Sequence, residues 1–198
     1  MGVTYQGIIT RKRMKSMVLR ADLAKRIVKV SCPLFTTDRT IDQFVIERLP
    51  RLIKKLEVHE KKPESEDGIY ILGEKKNLEF EDEKEKQAYL KRIAINYLKD
   101  KVPYYGNKMG IKEPYKVRVK NMKSRYGSNS RVTHTLAFST FLFHFPPEVI
   151  DAVIVHELAH HFQMNHSPRF YRIVYTYYPD YKKYHSRLKK RQYEADHL

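Results

Sequence analysis

The chain has 198 residues, a formal net charge of +16 and 41% hydrophobic residues, which suits one globular domain with a substantial core. No stretch reaches the roughly 20 apolar residues of a membrane span and no secretory signal is evident, so we expect a cytoplasmic protein with no membrane partner. The single cysteine, Cys32, excludes an intramolecular disulfide and a zinc cage of thiolates.

The N-terminal third is predicted to be rich in β-structure. Alternating residues indicate three short strands of a small antiparallel sheet, at 4–10, 16–21 and 26–31. Thr40 and Gln43 fit a capping box that opens a helix. Pro50 should kink or split this helix, because proline lacks a backbone donor.

Residues 57–86 are dense in opposite charges and predict a solvated connector, which encloses one strand at 68–72 and leads into a helix at 83–99. Residues 1–198 are expected to form a single domain. If this domain has two lobes, we expect them to divide here, into a β-rich lobe with a helix at 1–76 and a second lobe at 77–198.

Two further strands are predicted at 115–120 and 132–138, around a turn at 127–130. Pro147 and Glu148 then indicate the entrance of a helix, where proline and a carboxylate are both favourable. The strand at 133–138 is a candidate edge for an extended peptide substrate. A plain core strand explains the same pattern equally well.

The most informative motif is His156-Glu157-Leu158-Ala159-His160, which reads H-E-x-x-H. On a helix, residues four apart share one face, so His156 and His160 can bind the same metal ion. Glu157 lies about 100° away around the helix, where it can reach a water on that ion and act as a base. Nine histidines raise the rate of chance matches, so the surrounding residues must add support.

A third ligand is available just after this helix. Asn165 suits a left-handed helix end, and Ser167-Pro168 suits the cap and first residue of another helix, which places His166 in the bend. Three histidines leave one zinc position open, as in catalytic sites. The alternative is that these histidines are ordinary polar residues of an amphipathic helix.

These residues resemble the YgjP-like metallopeptidases, relatives of the SprT and WLM zincins. The likeness is carried by the H-E-x-x-H segment, by Asn165 to Phe170, by the approach Pro146 to Asp151, and by Ser124-Arg125-Tyr126-Gly127-Ser128. It is strongest from Lys123 onward. Departures from the family pattern stand at Tyr126, where tryptophan is usual, at Asn129, where cysteine is common, and at Ser139-Thr140-Phe141.

The resemblance implies an α+β fold in which a zincin-like core, a metal helix on a small antiparallel sheet, follows a β-rich N-terminal lobe. It also implies a zinc-dependent hydrolase with His156, His160 and His166 as ligands and Glu157 as the base. The H-E-x-x-H chemistry predicts that zinc lowers the pKa of its bound water toward about 7 and that Glu157 takes the proton. Arg125, His134, His144 and Tyr171 are conceivable second electrophiles, and the sequence selects none.

The basic charge is unevenly spread and indicates an affinity for polyanions. It concentrates in the N-terminal hairpin, at 116–131 and at 187–191. Six tyrosines precede or adjoin the last group and could stack on single-stranded nucleic acid: Tyr171, Tyr175, Tyr177, Tyr178, Tyr181 and Tyr184. The favoured alternative is that these rings are the packed underside of C-terminal helices.

Three functions remain open at this point. The first is a zinc metallopeptidase that cleaves proteins or peptides. The second is a metal-dependent hydrolase of nucleotide phosphoanhydrides, which an activated water in a basic cleft would also suit. The third is a non-enzymatic, basic nucleic-acid-binding module in which the metal only braces the fold.

Overall fold

The computed structural model describes residues 4–60, 62–65, 67–122 and 125–195, so Lys123 and Ser124 of the predicted family segment lie outside the described residues. The chain forms two compact units, Met1–Lys62 and Pro63–Leu198. Their boundary precedes the lobe division predicted after residue 76, because the strands between 64 and 76 pair with each other, and Leu72 donates its N–H to the Phe143 carbonyl of the second unit.

The first unit is a three-stranded sheet covered on one face by a helix. Its elements are β1 (Gln6–Lys12), β2 (Val18–Asp22), β3 (Ile27–Pro33) and α1 (Asp38–Glu60). The strand order is β1-β3-β2, and β1 runs parallel to β3, so the prediction of an all-antiparallel sheet is wrong. The reason lies in β3, whose Val28, Val30 and Cys32 are buried: the most apolar strand takes the centre.

Helix α1 differs from its prediction in its capping residue and in its continuity at Pro50. Thr37, not Thr40, caps it, since the Thr37 hydroxyl accepts a hydrogen bond from the Thr40 N–H at 3.3 Å. Pro50 lies inside one uninterrupted helix. Because Pro50 is exposed, its ring faces solvent, and water can satisfy the carbonyl that proline leaves unpaired.

The second unit begins with a small antiparallel sheet and a long helix. Strands β4 (Glu64–Ser65), β5 (Gly68–Ile71) and β6 (Glu74–Lys76) precede α2 (Glu83–Lys108). Helix α2 extends well beyond the predicted residue 99 and through Pro103. A buried stripe at intervals of four residues holds it in place: Leu90, Ala94, Leu98 and Val102.

A second sheet has the order β7-β9-β8, from β7 (Lys116–Lys120), β8 (Gly127–Ser130) and β9 (Thr135–Ser139). The predicted turn at 127–130 is therefore a strand. Strand β9 is buried at every residue and paired on both sides. A substrate strand cannot add to it, so the predicted edge at 133–138 is wrong, and the edges are β7 and β8.

The chain then makes a short 3-10 turn, Thr140–His144, and three helices, α3 (Pro147–Ala159), α4 (Pro168–Tyr177) and α5 (Tyr181–Lys190). Helix α3 begins at Pro147 as predicted, and its apolar residues are buried among α2, β9, α4 and α5. The predicted α+β fold, with the helix of the H-E-x-x-H motif packed on a small sheet, is confirmed. The prediction that this sheet is antiparallel is wrong, because β7 runs parallel to the central strand β9 and only β8 runs antiparallel to it. Among the described residues, no helix is long and apolar enough to cross a membrane.

Candidate metal centre

The three predicted histidines converge. His156 lies in α3, His160 is the C-cap residue of that helix, and His166 lies in the loop before α4. Their possible ligand atoms all lie within 4.8 Å of one another, and the Nε2 atoms of His156 and His166 are 3.1 Å apart. Three nitrogens at bond lengths of about 2.0–2.1 Å around a tetrahedral ion would be about 3.3 Å apart, so the group fits a zinc ion.

The loop that returns His166 is built differently from the prediction. Asn165 does not adopt the left-handed conformation. Instead, the Ala159 carbonyl accepts the N–H groups of Phe162 and Gln163, and the Gln163 side chain donates to Asn165 Oδ1. Ser167 then caps α4, as predicted, by accepting the N–H of Phe170.

Hydrogen bonds at Nδ1 orient the imidazole rings of His156 and His160. His160 Nδ1–H donates to the Gln163 carbonyl at 3.1 Å, and Tyr181 Oη lies 2.9 Å from His156 Nδ1. With Nδ1 engaged in both rings, Nε2 is the nitrogen left available to a metal ion. Sequence reasoning missed Tyr181 in this role, because α5 is 25 residues away and no spacing signals the contact.

The protonation states also suit a metal. Burial first, and then the neighbouring histidines, lower the pKa of His156 to about 3, which keeps the ring neutral. Burial also lowers the pKa of His160. A neutral imidazole is the form that binds a metal ion, so these rings need no deprotonation at neutral pH.

Glu157 lies beside this cluster and is 6% exposed. Burial raises the pKa of its carboxyl to about 8, an effect that the charge of Arg125 opposes. Asn129 Nδ2 donates to the Glu157 backbone carbonyl at 2.7 Å, which ties β8 to α3. A buried carboxyl with a perturbed pKa next to three converging imidazoles is the pattern expected of a reactive centre.

A cleft of about 260 Å³ opens onto this centre. It is lined by Arg125, Tyr126, Gly127, Val153, His156, Glu157, Tyr181, His185 and Leu188. Of the four conceivable second electrophiles, only Arg125 lines it. His134 contacts the Glu113 carbonyl, His144 contacts the Tyr70 carbonyl, and Tyr171 packs beside Phe170.

Comparison with known families decides the chain's membership. Residues 82–191 match the family described as "YgjP-like, metallopeptidase domain". The chain belongs to this family. The predicted resemblance is thus confirmed, and the matched segment contains α2, the β7-β9-β8 sheet and all the residues of the candidate centre.

Two solved structures are similar to this YgjP-like chain. One is the metallopeptidase zymogen jannalysin of Methanocaldococcus jannaschii, at 24% identity and a TM-score of 0.44, covering 48% of this chain and 95% of that one. The other is the metallopeptidase zymogen abylysin of Pyrococcus abyssi, at 23% identity and a TM-score of 0.45, covering 49% of this chain and 96% of that one. A comparison with curated proteins gives no significant match.

The C-terminal tyrosines of the YgjP-like domain are packing residues. Tyr181 is buried and Tyr178 donates its hydroxyl to the Glu148 carbonyl, while Tyr175 is the exposed member of the group. Four of the six tyrosines are half-buried and pack against the main core: Tyr171, Tyr177, Tyr178 and Tyr184. These rings therefore form the packed underside of the C-terminal helices, as the favoured alternative predicted, and stacking of nucleic acid on them stays an untested prediction.

We expect Tyr181→Phe to weaken metal binding. The change keeps the ring and removes the hydroxyl that contacts His156 Nδ1. Loss of such an orienting partner typically costs about 10- to 100-fold in metal affinity. Competition of the purified variant against a chromogenic zinc chelator measures this, with Tyr175→Phe, an exposed ring of the same domain, as the matched control. Equal affinity in the two variants would show that the Tyr181 hydroxyl does not orient the ligand.

We expect Gly127→Ala to displace the Glu157 carboxylate. A Cβ at Gly127 would lie 2.7 Å from both Cγ and Oε1 of Glu157, closer than packed atoms approach. Hydrolysis should fall by at least about tenfold, because small displacements of a catalytic group are costly, and metal content should not change. Gly106→Ala is the matched control, since a Cβ there meets nothing within 4 Å.

Proposed function

We propose that this protein is a zinc metallopeptidase that cleaves peptide bonds of protein or peptide substrates. The observation that carries the proposal is the convergence of His156, His160 and His166 beside Glu157 at the end of a cleft. Membership of a metallopeptidase family supports a metal-dependent hydrolase in general. The identity of the metal, the ligand set and the base are the proposed parts.

Each group has a role in this mechanism. When bound by the three imidazoles, zinc supplies a Lewis acid that acidifies a water toward a pKa of about 7 and polarises the scissile carbonyl. In its ionised form, which the charge of a bound zinc ion would favour, Glu157 removes a proton from the attacking water as the oxygen bonds to the carbonyl carbon. It then delivers that proton to the departing amine nitrogen as the C–N bond breaks, so one carboxyl serves as base and acid.

The proposal extends to how a peptide substrate binds. Strand β8 is an edge of its sheet, and Gly127 at its start lines the cleft against Glu157. We propose that extended substrate backbone pairs with β8, which holds peptides through main-chain hydrogen bonds largely independent of sequence. A complex with a peptide-like inhibitor tests this, and substrate backbone paired elsewhere would refute it.

A second function, hydrolysis of nucleotide phosphoanhydrides, is supported by one observation. Arg125 lines the cleft, where its positive charge would favour a polyphosphate. Assays of the zinc-loaded protein against unstructured casein-like peptides and against nucleoside triphosphates separate the two substrates. Metal analysis of the purified protein tests the choice of zinc.

A bracing role for the metal is the least supported alternative. Structural zinc sites are closed by four protein ligands, whereas the group that could hold an ion in the described part of the chain has three histidines. His156 and Glu157 also line an open cleft, which a structural site does not need. If neither substrate class is hydrolysed by the zinc-loaded protein, this alternative gains support.

A further inference from the structure

The open face of the N-terminal sheet carries positive charge that nothing in the proposed peptidase uses. Helix α1 covers the other face, where Val30 and Cys32 of β3 pack with Ile41. The register of the three strands fixes which side chains share the open face. They are Gln6, Ile8, Thr10 and Lys12 of β1, Val18, Arg20 and Asp22 of β2, and Ile27, Lys29, Ser31 and Pro33 of β3.

Two cations stand directly opposite each other at the centre of this face. Arg20 of β2 pairs in register with Lys29 of β3, and both are exposed. Like charges at opposed positions destabilise a sheet. Among the described residues no ion pair neutralises either one. A bound anion would relieve this repulsion.

The rest of the face extends the same charge along the strands. Lys12 of β1 is in register with Pro33 of β3. Pro33 lies four residues along β3 from Lys29, a distance of about 13 Å at the usual rise per residue of a strand. Asp22 is the one acidic residue of the face, and it accepts a hydrogen bond from the Lys25 N–H in the adjacent turn. The three cations therefore form a row long enough to contact several anionic groups of one polymer.

An exposed aromatic residue, Phe35, follows Pro33 by two residues, next to the strand end at which Lys12 lies. Pro33 accepts the N–H of Thr36, which closes a tight turn with Leu34 and Phe35 at its tip. Phe35 is 97% exposed, which is unusual for phenylalanine and has no packing explanation. A row of cations beside an exposed ring is the combination that binds single-stranded nucleic acid, since cations contact phosphates and a base stacks on the ring.

We propose that this face, formed by Lys12, Arg20 and Lys29 together with Phe35, binds single-stranded nucleic acid without sequence specificity. Phosphates of the strand contact the three cations, and one base stacks on Phe35. The site lies in the first unit, and none of its residues belongs to the candidate metal centre, so it is independent of the proposed peptidase function.

The test measures binding of a fluorescent single-stranded thymidine oligonucleotide by the full chain over a range of salt concentrations. The Lys12→Gln/Arg20→Gln/Lys29→Gln variant should bind more weakly, and the slope of log K against log salt should flatten by about 2, since each phosphate contact to a single strand contributes about 0.7. Phe35→Ala should weaken binding by about 5- to 150-fold, the range for one stacked base, and leave the slope unchanged.

The matched control removes the same charge from the helix on the other face. Arg39, Arg51 and Lys54 of α1 are exposed, so their replacement by glutamine changes net charge equally and spares the proposed face. An equal loss of slope in both triple variants would show a general charge effect and refute the site. Circular dichroism of every variant shows whether it is folded. The single Lys12, Arg20 and Lys29 variants should each lose about one third of the slope change, whereas unfolding would not divide in this way.

Two other ligands are distinguished by the same variants. If duplex DNA binds more tightly than the single strand and Phe35→Ala has no effect, stacking is refuted. If Phe35→Ala instead weakens binding only to anionic phospholipid vesicles, the turn is a membrane contact and the nucleic-acid proposal is wrong. Peptidase assays take no part in any of these outcomes, so failure here leaves the metal centre unaffected.

Discussion

A Glu157→Gln variant should keep its metal and lose about 10²- to 10⁴-fold in kcat, the usual contribution of a general acid–base group. Glutamine has nearly the same shape, so the backbone hydrogen bond from Asn129 and the packing against Gly127 are retained. What is lost is the ability to take a proton from water. Rates on a casein-like peptide, together with zinc content by mass spectrometry, measure both parts of this expectation.

The control for this experiment lies on the same helix. Glu148→Gln makes the identical chemical change in the first turn of α3, where the side chain is exposed and away from the cleft. Its rate should match that of the unmodified protein. Full activity in the Glu157 variant would remove Glu157 as the base, and loss of zinc would show that it holds the ion instead of activating water.

The local part of the candidate centre could be predicted because short-range rules determine it. The four-residue spacing places His156 and His160 on one side of a helix turn even though His160 is the C-cap residue. Pro147 marks where α3 begins. Ser167-Pro168 fixes the start of α4 soon after His160, so the loop that carries His166 is short. Each of these signals lies within about one turn of the residue that it positions.

The rest depends on contacts that are distant in sequence. Asn129 and Tyr181 hold Glu157 and His156 through single hydrogen bonds from another strand and another helix. No periodicity predicts such contacts. The strand order could not be predicted for the same reason. The sequence of β9 suits either an edge strand or a central strand, and only its pairing with both β7 and β8 shows that it is central.

Helix continuity was missed for a related reason. Proline costs a helix about 3 kcal/mol, and this average predicts a break at Pro50 and an early end for α2. Both Pro50 and Pro103 are exposed, so no neighbouring helix is displaced by their rings. In α2, the buried Leu98, Val102 and Tyr105 flank Pro103, and their packing continues the helix past it.

A cluster of polar side chains holds α3 against α2. Asp151 of α3 is buried and accepts three hydrogen bonds from α2, from Tyr97 Oη at 2.7 Å, Tyr105 Oη at 2.9 Å and Lys101 Nζ at 3.2 Å. The three donors stand four residues apart, on one side of α2. Burial first, and then the charge of Asp151, raise the pKa of both tyrosine hydroxyls above the ordinary value.

Asp151→Ala should therefore be the most destabilising of the substitutions considered. It leaves the hydroxyl of buried Tyr105 and the hydroxyl of half-buried Tyr97 without this acceptor, and each unsatisfied buried group costs about 1–3 kcal/mol. Tyr97 has a second acceptor, the Pro147 carbonyl at 3.3 Å, which offsets part of its loss. We expect a total of about 2–4 kcal/mol, which corresponds to roughly 4–16 °C in Tm for a chain of this size.

Chemical denaturation of the metal-free protein measures the effect without a contribution from zinc binding. Asp100→Ala is the matched control, because Asp100 is an exposed carboxylate on α2 and its removal should change stability by less than about 0.5 kcal/mol. A Tyr97→Phe change in the Asp151→Ala background should cost less than it does alone, since the two groups share one hydrogen bond. Additive costs would mean that the hydrogen bond between Tyr97 and Asp151 contributes nothing to stability, and that Tyr105, Lys101 and the apolar packing hold α3 against α2.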